Sequence, residues 1–207
     1  MLARPPAAPA SINPSSTDVP AGTPLARVYA PEPYKTEPTT FREFGPINRF
    51  DHHRAAADGS RRRDDDRGIL YAAEEFTCGI GEYFTDQGAI TLSGNKVARL
   101  TVIEDLRVLD LRGTAATGVG TIQAIGGDGK RSVTQAWARY LYEHPDLGNV
   151  DGLLYQSATT GLDALALWER AQDKLLCLPD DHWELADLAV YSEVLLAGTL
   201  LHLPVVA

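Results

Sequence analysis

Apolar and polar positions along this chain follow two periods, and the change from one to the other marks its central stretch. Residues 68–73, Gly-Ile-Leu-Tyr-Ala-Ala, form a short apolar run after a charged one, the pattern of a buried strand. Directly afterwards Phe76, Ile80, Tyr83 and Phe84 recur at i, i+4, i+7 and i+8, one apolar face of a helix starting near Glu74. Residues 25–30 alternate and predict the first strand; residues 97–103 and 106–111 predict a hairpin turning at Glu104-Asp105. Residues 114–124 predict a short helix. Ser132-Val-Thr-Gln135 matches a capping box ahead of Val133, Ala136, Trp137, Tyr140 and Leu141 at helical spacing, with Pro145 beyond the end. Further strands are expected over 150–156, 162–167, 175–178 and 203–206, and a helix over 187–200. The pattern is α/β: a mixed or antiparallel sheet in two facing parts, with helices packed outside.

Ten of the 13 prolines precede residue 47, and residues 1–24 offer little to bury, so they read as a flexible tail. Residues 25–207 then form a single domain, a length able to bury one core.

Several side chains stand out against the pattern. Glu82 lies six residues past Phe76, about 120° from the apolar stripe. It comes late in its helix, where the macrodipole does not favour a carboxylate. It is either a functional acid or a solvated flank residue. Arg27 on the first strand is either a ligand-binding arginine or an exposed one. Ser157 ends a strand before Ala-Thr-Thr-Gly; it can present its hydroxyl to a ligand or bond to backbone in the core. It is not in a Gly-x-Ser-x-Gly elbow. His52 and His53 would face opposite sides of a strand, with no third ligand near, so no metal is expected. Arg61–Arg63 and Asp64–Asp66 read as a self-compensating solvated loop. Gly126-Gly-Asp-Gly129 lacks Walker or Rossmann spacing and reads as a turn.

A net charge of −9 argues against non-specific nucleic-acid binding. Cys78 and Cys177 sit in apolar runs without metal spacing and read as buried thiols of a reducing, cytoplasmic setting. No apolar run approaches the roughly 20 residues that span a bilayer, and no secretory signal pattern begins the chain.

Three segments in order carry a resemblance: Gly45-Pro-Ile-Asn-Arg-Phe-Asp51, the strand ending Leu70-Tyr-Ala followed by the helix with Glu82, and Asp151-Gly-Leu-Leu-Tyr-Gln-Ser157. Together they resemble the RES domain family, named after an Arg, a Glu and a Ser. The resemblance implies an ADP-ribosyltransferase-like fold and a toxin of a bacterial toxin–antitoxin pair that destroys NAD. NAD would be substrate, not cofactor, with inorganic phosphate (NAD phosphorylase) or water (NAD glycohydrolase) as acceptor. Glu82, Arg49 and Ser157 would be catalytic. Arg27, Arg49, Tyr71 and Ser157 would bind NAD. Ala158 departs from the basic residue that many relatives carry there. The implied partner is an Xre-like helix-turn-helix antitoxin, and a homodimer is left open. Two other readings stand beside this one: a mono-ADP-ribosyltransferase acting on a protein, and a non-enzymatic nucleotide-binding domain.

Overall fold

The computed structural model describes residues 2–127 and 130–207. In chain order the elements are β1 (Ser16–Val19), β2 (Pro24–Tyr29), β3 (Phe44–Gly45), β4 (Arg62–Arg63), β5 (Ile69–Ala73) and α1 (Phe76–Phe84). There follow β6 (Ile90–Thr91), β7 (Lys96–Val102), β8 (Leu106–Asp110), α2 (Arg131–Glu143), β9 (Gly152–Gln156) and β10 (Asp163–Trp168). The last are β11 (Leu175–Leu176), β12 (His182–Glu184), α3 (Leu188–Leu201) and β13 (Val205–Val206).

The main sheet runs β1-β8-β9-β10-β5-β2-β7-β11, with β12 also on β7. Only β8 and β9 pair parallel within it. β2 meets β5 at one residue pair, Ala26 with Ala73, whereas β2 pairs β7 over residues 24–29. The sheet is therefore mixed and split in all but one bridge, and the chain has the α/β class expected. α1 lies at this split: a Cβ on Gly79 would stand 3.5 Å from the Ala26 carbonyl oxygen.

Alternation sorts the central strands onto two faces. Ile69, Ala73, Leu153, Tyr155, Ala164, Ala166 and Trp168 pack with Val133, Trp137, Ala138 and Leu141 of α2. Leu70, Ala72, Leu154, Leu165 and Leu167 pack on the other side with Leu25, Tyr29 and Leu100. Each such leucine contributes roughly 1.5–3 kcal/mol on burial. Ile80 and Phe84 of α1 join a third cluster with Val190, Val194 and Ala197 of α3.

The structure corrects four expectations. The N-terminal residues are tied down: β1 pairs β8, and Leu2 is buried in the core shared with α2. Side chains of α2 hold the intervening backbone. Trp137 Nε1 donates to the Ala3 carbonyl at 2.7 Å, and the Ala10 N–H donates to Tyr140 Oη at 2.9 Å. The proposed hairpin does not form, because β7 is flanked by β2, β11 and β12 while β8 is flanked by β1 and β9. α2 starts one residue before Ser132, at Arg131, and its N-cap Lys130 makes no side-chain cap. The charged loop is not all solvated: Asp64 and Arg67 are buried, Asp64 against Arg54. Of the glycine-rich stretch, Gly126 ends a 3-10 turn, and residues 128–129 lie outside the described residues.

Candidate functional site

Glu82 is the meeting point of α1 and β9. Tyr155 Oη donates to its Oε2 at 2.7 Å, and Ser157 Oγ donates to its Oε1 at 2.6 Å. Tyr155 and Ser157 are two residues apart on a strand, so both point to the same face. They are 3% and 1% exposed, while Glu82 itself is exposed. The direction of the Ser157 hydroxyl is fixed by its neighbours. Its oxygen accepts from the Thr159 and Thr160 N–H groups at 3.2 and 3.3 Å, which leaves its one proton for Glu82. Ser157 thus bonds to backbone and serves the acid at once.

Local sequence explains the close fit. A Cβ on Gly81 would come within 2.9 Å of Thr160 Cγ2, so the glycine lets α1 reach the loop after β9. A Cβ on Gly126 would lie 2.5 Å from the Gln156 carbonyl oxygen, so that turn presses on the strand carrying Ser157. Burial, then the nearby Glu82, raises the Tyr155 phenol well above its ordinary pKa and keeps it a donor. Cys78, one turn before Glu82, is pushed up to about 11 by burial and stays a thiol; Cys177 is half-buried.

A second acid builds the adjoining wall. Asp51 is fully buried and accepts from Arg42 Nη2 at 2.8 and 2.9 Å. It also accepts from Tyr71 Oη at 2.8 Å and from the N–H groups of Ile47 and Asn48. Tyr71 Oη in turn accepts the Phe50 N–H at 3.0 Å. The Phe50 ring stands 4.6 Å from the Tyr155 ring, centroid to centroid, and so joins the two acids' surroundings. Burial first, then the Asp51 charge, holds the Tyr71 phenol well above its usual range.

The residues singled out in the sequence separate clearly. Glu82 and Ser157 are in contact. Tyr71 is on the same face of the sheet as Tyr155, but its hydroxyl is occupied by Asp51 and Phe50. Arg49 is half-buried, in the short segment between Asn48, whose carbonyl accepts from Gln135 of α2 at 3.0 Å, and Phe50. Arg27 is not brought to the cluster. It alternates with Ala26, the residue under α1, and so points to the opposite face with Leu25 and Tyr29. Its guanidinium donates to the Pro38 carbonyl at 2.6 Å, and burial lowers its pKa to about 10. His52 and His53 are both buried; His52 faces Glu169 at 3.2 Å and His53 the Arg42 carbonyl at 2.9 Å. Among the described residues no three His, Cys, Asp or Glu side chains converge as for a metal.

Tyr155, Asp51 and Arg42 escaped the sequence reading. Tyr155 had a signal: it sits at the alternate position before Ser157 in the same motif.

The arrangement is a fixed, solvent-facing carboxylate held by a buried tyrosine and a buried serine. A carboxylate has about four acceptor positions. Among the described residues two are filled, and the exposed carboxylate can offer the rest to a hydroxyl-bearing ligand.

No curated protein matches the chain. Among solved structures it is similar to the M. tuberculosis MbcT-MbcA toxin-antitoxin complex, with a TM-score of 0.58 and 16% identity over 85% of this chain and 90% of that one. The likeness shows the shared fold. No helix among the described residues is long and apolar enough to cross a membrane. The RES domain family model matches residues 32–187, three quarters of the chain and all of the cluster around Glu82, so this protein belongs to the RES domain family.

Proposed function

We propose that this chain is the toxin of a toxin–antitoxin pair and acts by cleaving NAD at the bond between nicotinamide and ribose. The observation that carries the reading is the exposed Glu82 carboxylate, aimed by two buried hydroxyls. Nicotinamide leaves as a neutral pyridine with the electrons of the broken C–N bond, so the reaction requires no general acid. What it does require is a negative group beside the ribose as positive charge grows at its anomeric carbon. A carboxylate fixed beforehand supplies this at no reorganisation cost during the step. Its free acceptor positions also suit the ribose hydroxyls, whose hydrogen bonds strengthen in an oxocarbenium-like transition state.

Ser157 is assigned a positioning part rather than contact with the ligand, since its hydroxyl is used up on Glu82. Arg49 is assigned the dinucleotide phosphates, because an arginine fork matches phosphate oxygens. Arg27 is left out, since it turns away to Pro38. Phosphate as acceptor gives ADP-ribose 1″-phosphate; water gives ADP-ribose. Within this reading, the partner is an Xre-like antitoxin that restricts access to Glu82.

The test is mass analysis after incubating the purified chain with NAD, with and without inorganic phosphate. Release of free nicotinamide is expected. Intact NAD after prolonged incubation would remove the enzymatic reading and leave a nucleotide-binding domain. ADP-ribose appearing on a protein, rather than free, would favour the transferase.

A further inference from the structure

α3 breaks the rule that a surface helix shows one polar side. Its 14 residues, Leu-Ala-Val-Tyr-Ser-Glu-Val-Leu-Leu-Ala-Gly-Thr-Leu-Leu, hold one charged residue, Glu193, in a chain with 47. Val190, Val194 and Ala197 are buried, on the side that packs with Ile80 and Phe84 of α1. The opposite side leaves Leu188 at 90%, Leu195 at 43%, Leu196 at 57% and Leu200 at 59% exposure. A helix apolar all round is normally buried all round. Beside it, between α3 and residues 202–205, lies a hollow of about 710 Å³ lined by Leu195, Gly198, Thr199, Leu203 and Val205. No residue of the Glu82 cluster lines it.

We infer that this face of α3 packs against the same face of a second copy of the chain, the two helices running antiparallel about a two-fold axis near Ala197 and Gly198. Two observations choose this occupant. The first is charge. The chain carries −9, so an oppositely charged partner would be drawn to its acidic surface, and two copies repel over most of theirs. This face offers a basic partner only Glu193, and it is where two like-charged chains can approach. The second is the order of side-chain sizes along the middle of the exposed face. Ser192, Leu196 and Thr199, all exposed, follow at spacings of four and three. Small and large alternate. About a two-fold near 197–198, Leu196 of each copy faces Thr199 of the other. At the centre of the contact a large side chain then meets a small one, as interdigitated helices require. In a parallel pair, large would meet large. A two-fold contact uses one patch twice, so this self-matching order is what it demands.

The helix is about 21 Å long at 1.5 Å per residue, shorter than a standard interface needs, so the dimer forms with rising concentration rather than permanently. The inference is independent of the NAD reading, because the face lies outside the Glu82 cluster.

Sedimentation of the full chain at about 1 µM and about 100 µM, spanning a micromolar Kd, tests it. Dimer is expected at the higher concentration. Leu196→Glu should weaken association at least tenfold while the melting temperature and any NAD cleavage stay as in the parent. Leu196→Thr and Thr199→Leu should each weaken it, and the two together should restore it, because the exchange keeps a large residue against a small one. A role for either residue in the fold alone would give no such rescue. The inference is overturned by a chain that stays monomeric at the higher concentration, by a dimer indifferent to Leu196→Glu, or by a double exchange no better than the single changes. Flotation of the monomer with phosphatidylcholine vesicles through this face would likewise overturn it.

Discussion

Two acids of this fold, whose surroundings meet at the Phe50 and Tyr155 rings, are used in opposite ways. Asp51 is buried, and both its oxygens are crowded by Arg42, Tyr71 and two backbone N–H groups. Glu82 is exposed, and each of its oxygens accepts one hydroxyl. A saturated buried carboxylate holds chain segments together. An oriented carboxylate with open acceptor positions is available to a ligand. The difference is one of unfilled hydrogen-bonding capacity.

Removing each acid should therefore separate stability from activity. Asp51→Ala leaves Arg42 without its partner and strips the 47–50 turn of its anchor. Breaking such a buried pair costs roughly 3–5 kcal/mol. The thermal melt should fall by many degrees, and what stays folded should bind NAD weakly because Arg49 sits on that turn. A melt within two degrees of the parent would refute the anchoring role.

Glu82→Gln keeps the shape and removes the charge. Loss of NAD cleavage by about 10²–10³ is expected, the range for deleting one preorganised electrostatic group. The melting temperature should barely move, since the amide oxygen still accepts one of the two hydroxyls. Turnover within twofold of the parent would transfer the catalytic part elsewhere.

A third acid, Glu169, sharpens the contrast through pH. Burial opposes its charge, but hydrogen bonds from His52, Tyr142 and the Gly68 N–H outweigh this and hold it down at about 2. Burial also lowers His52, so the pair is neutral imidazole donating to carboxylate. Both shifts act in one direction. The unfolded chain takes up the Glu169 proton near pH 4.3 and the His52 proton near 6.5, while the folded chain resists both. The stabilisation is full above those values and is lost as pH falls toward 2, on the order of 3 kcal/mol from Glu169. Glu169→Gln should flatten the acid limb of stability below pH 5. An acid limb unchanged by that substitution would show the shift to be of no consequence.

These contrasts also mark how far sequence could see. The central strand and α1 were legible because both periods are strong there, and Glu82 was legible as an acid in the wrong part of a helix. Ser157 was legible as a strand-end hydroxyl, though not as the residue that aims Glu82. Asp51 was invisible: its partners come from Arg42, a turn and β5, and no local pattern announces such a convergence. The N-terminal segment was misread because its proline-rich composition argues for solvent. Its attachment depends on Trp137 and Tyr140 of a helix more than 120 residues later. Arg27 stood second to Arg49 as a phosphate ligand, and strand alternation, set against the neighbours of β2, turns it to the other face.

The finest division lies within the support of Glu82 itself, between its two hydroxyls. Tyr155 only donates there. Ser157 donates and also accepts from two backbone N–H groups. Tyr155→Phe removes one hydrogen bond and leaves no donor unpaired, so it should cost about 1 kcal/mol or less of stability. Ser157→Ala also takes away the acceptor of the Thr159 and Thr160 N–H groups, in a loop that water reaches, and should cost more, about 1.5 kcal/mol. Both release one Glu82 oxygen, so both should lower NAD turnover severalfold, mainly in kcat. Ser157→Thr would keep the hydroxyl, and recovery of turnover by it would separate aiming from packing. Paired melts and turnover on the same preparations give the answer. Equal losses of stability would mean that the backbone bonds to Ser157 contribute nothing, and unchanged turnover per folded molecule in both variants would mean that Glu82 needs no aiming at all.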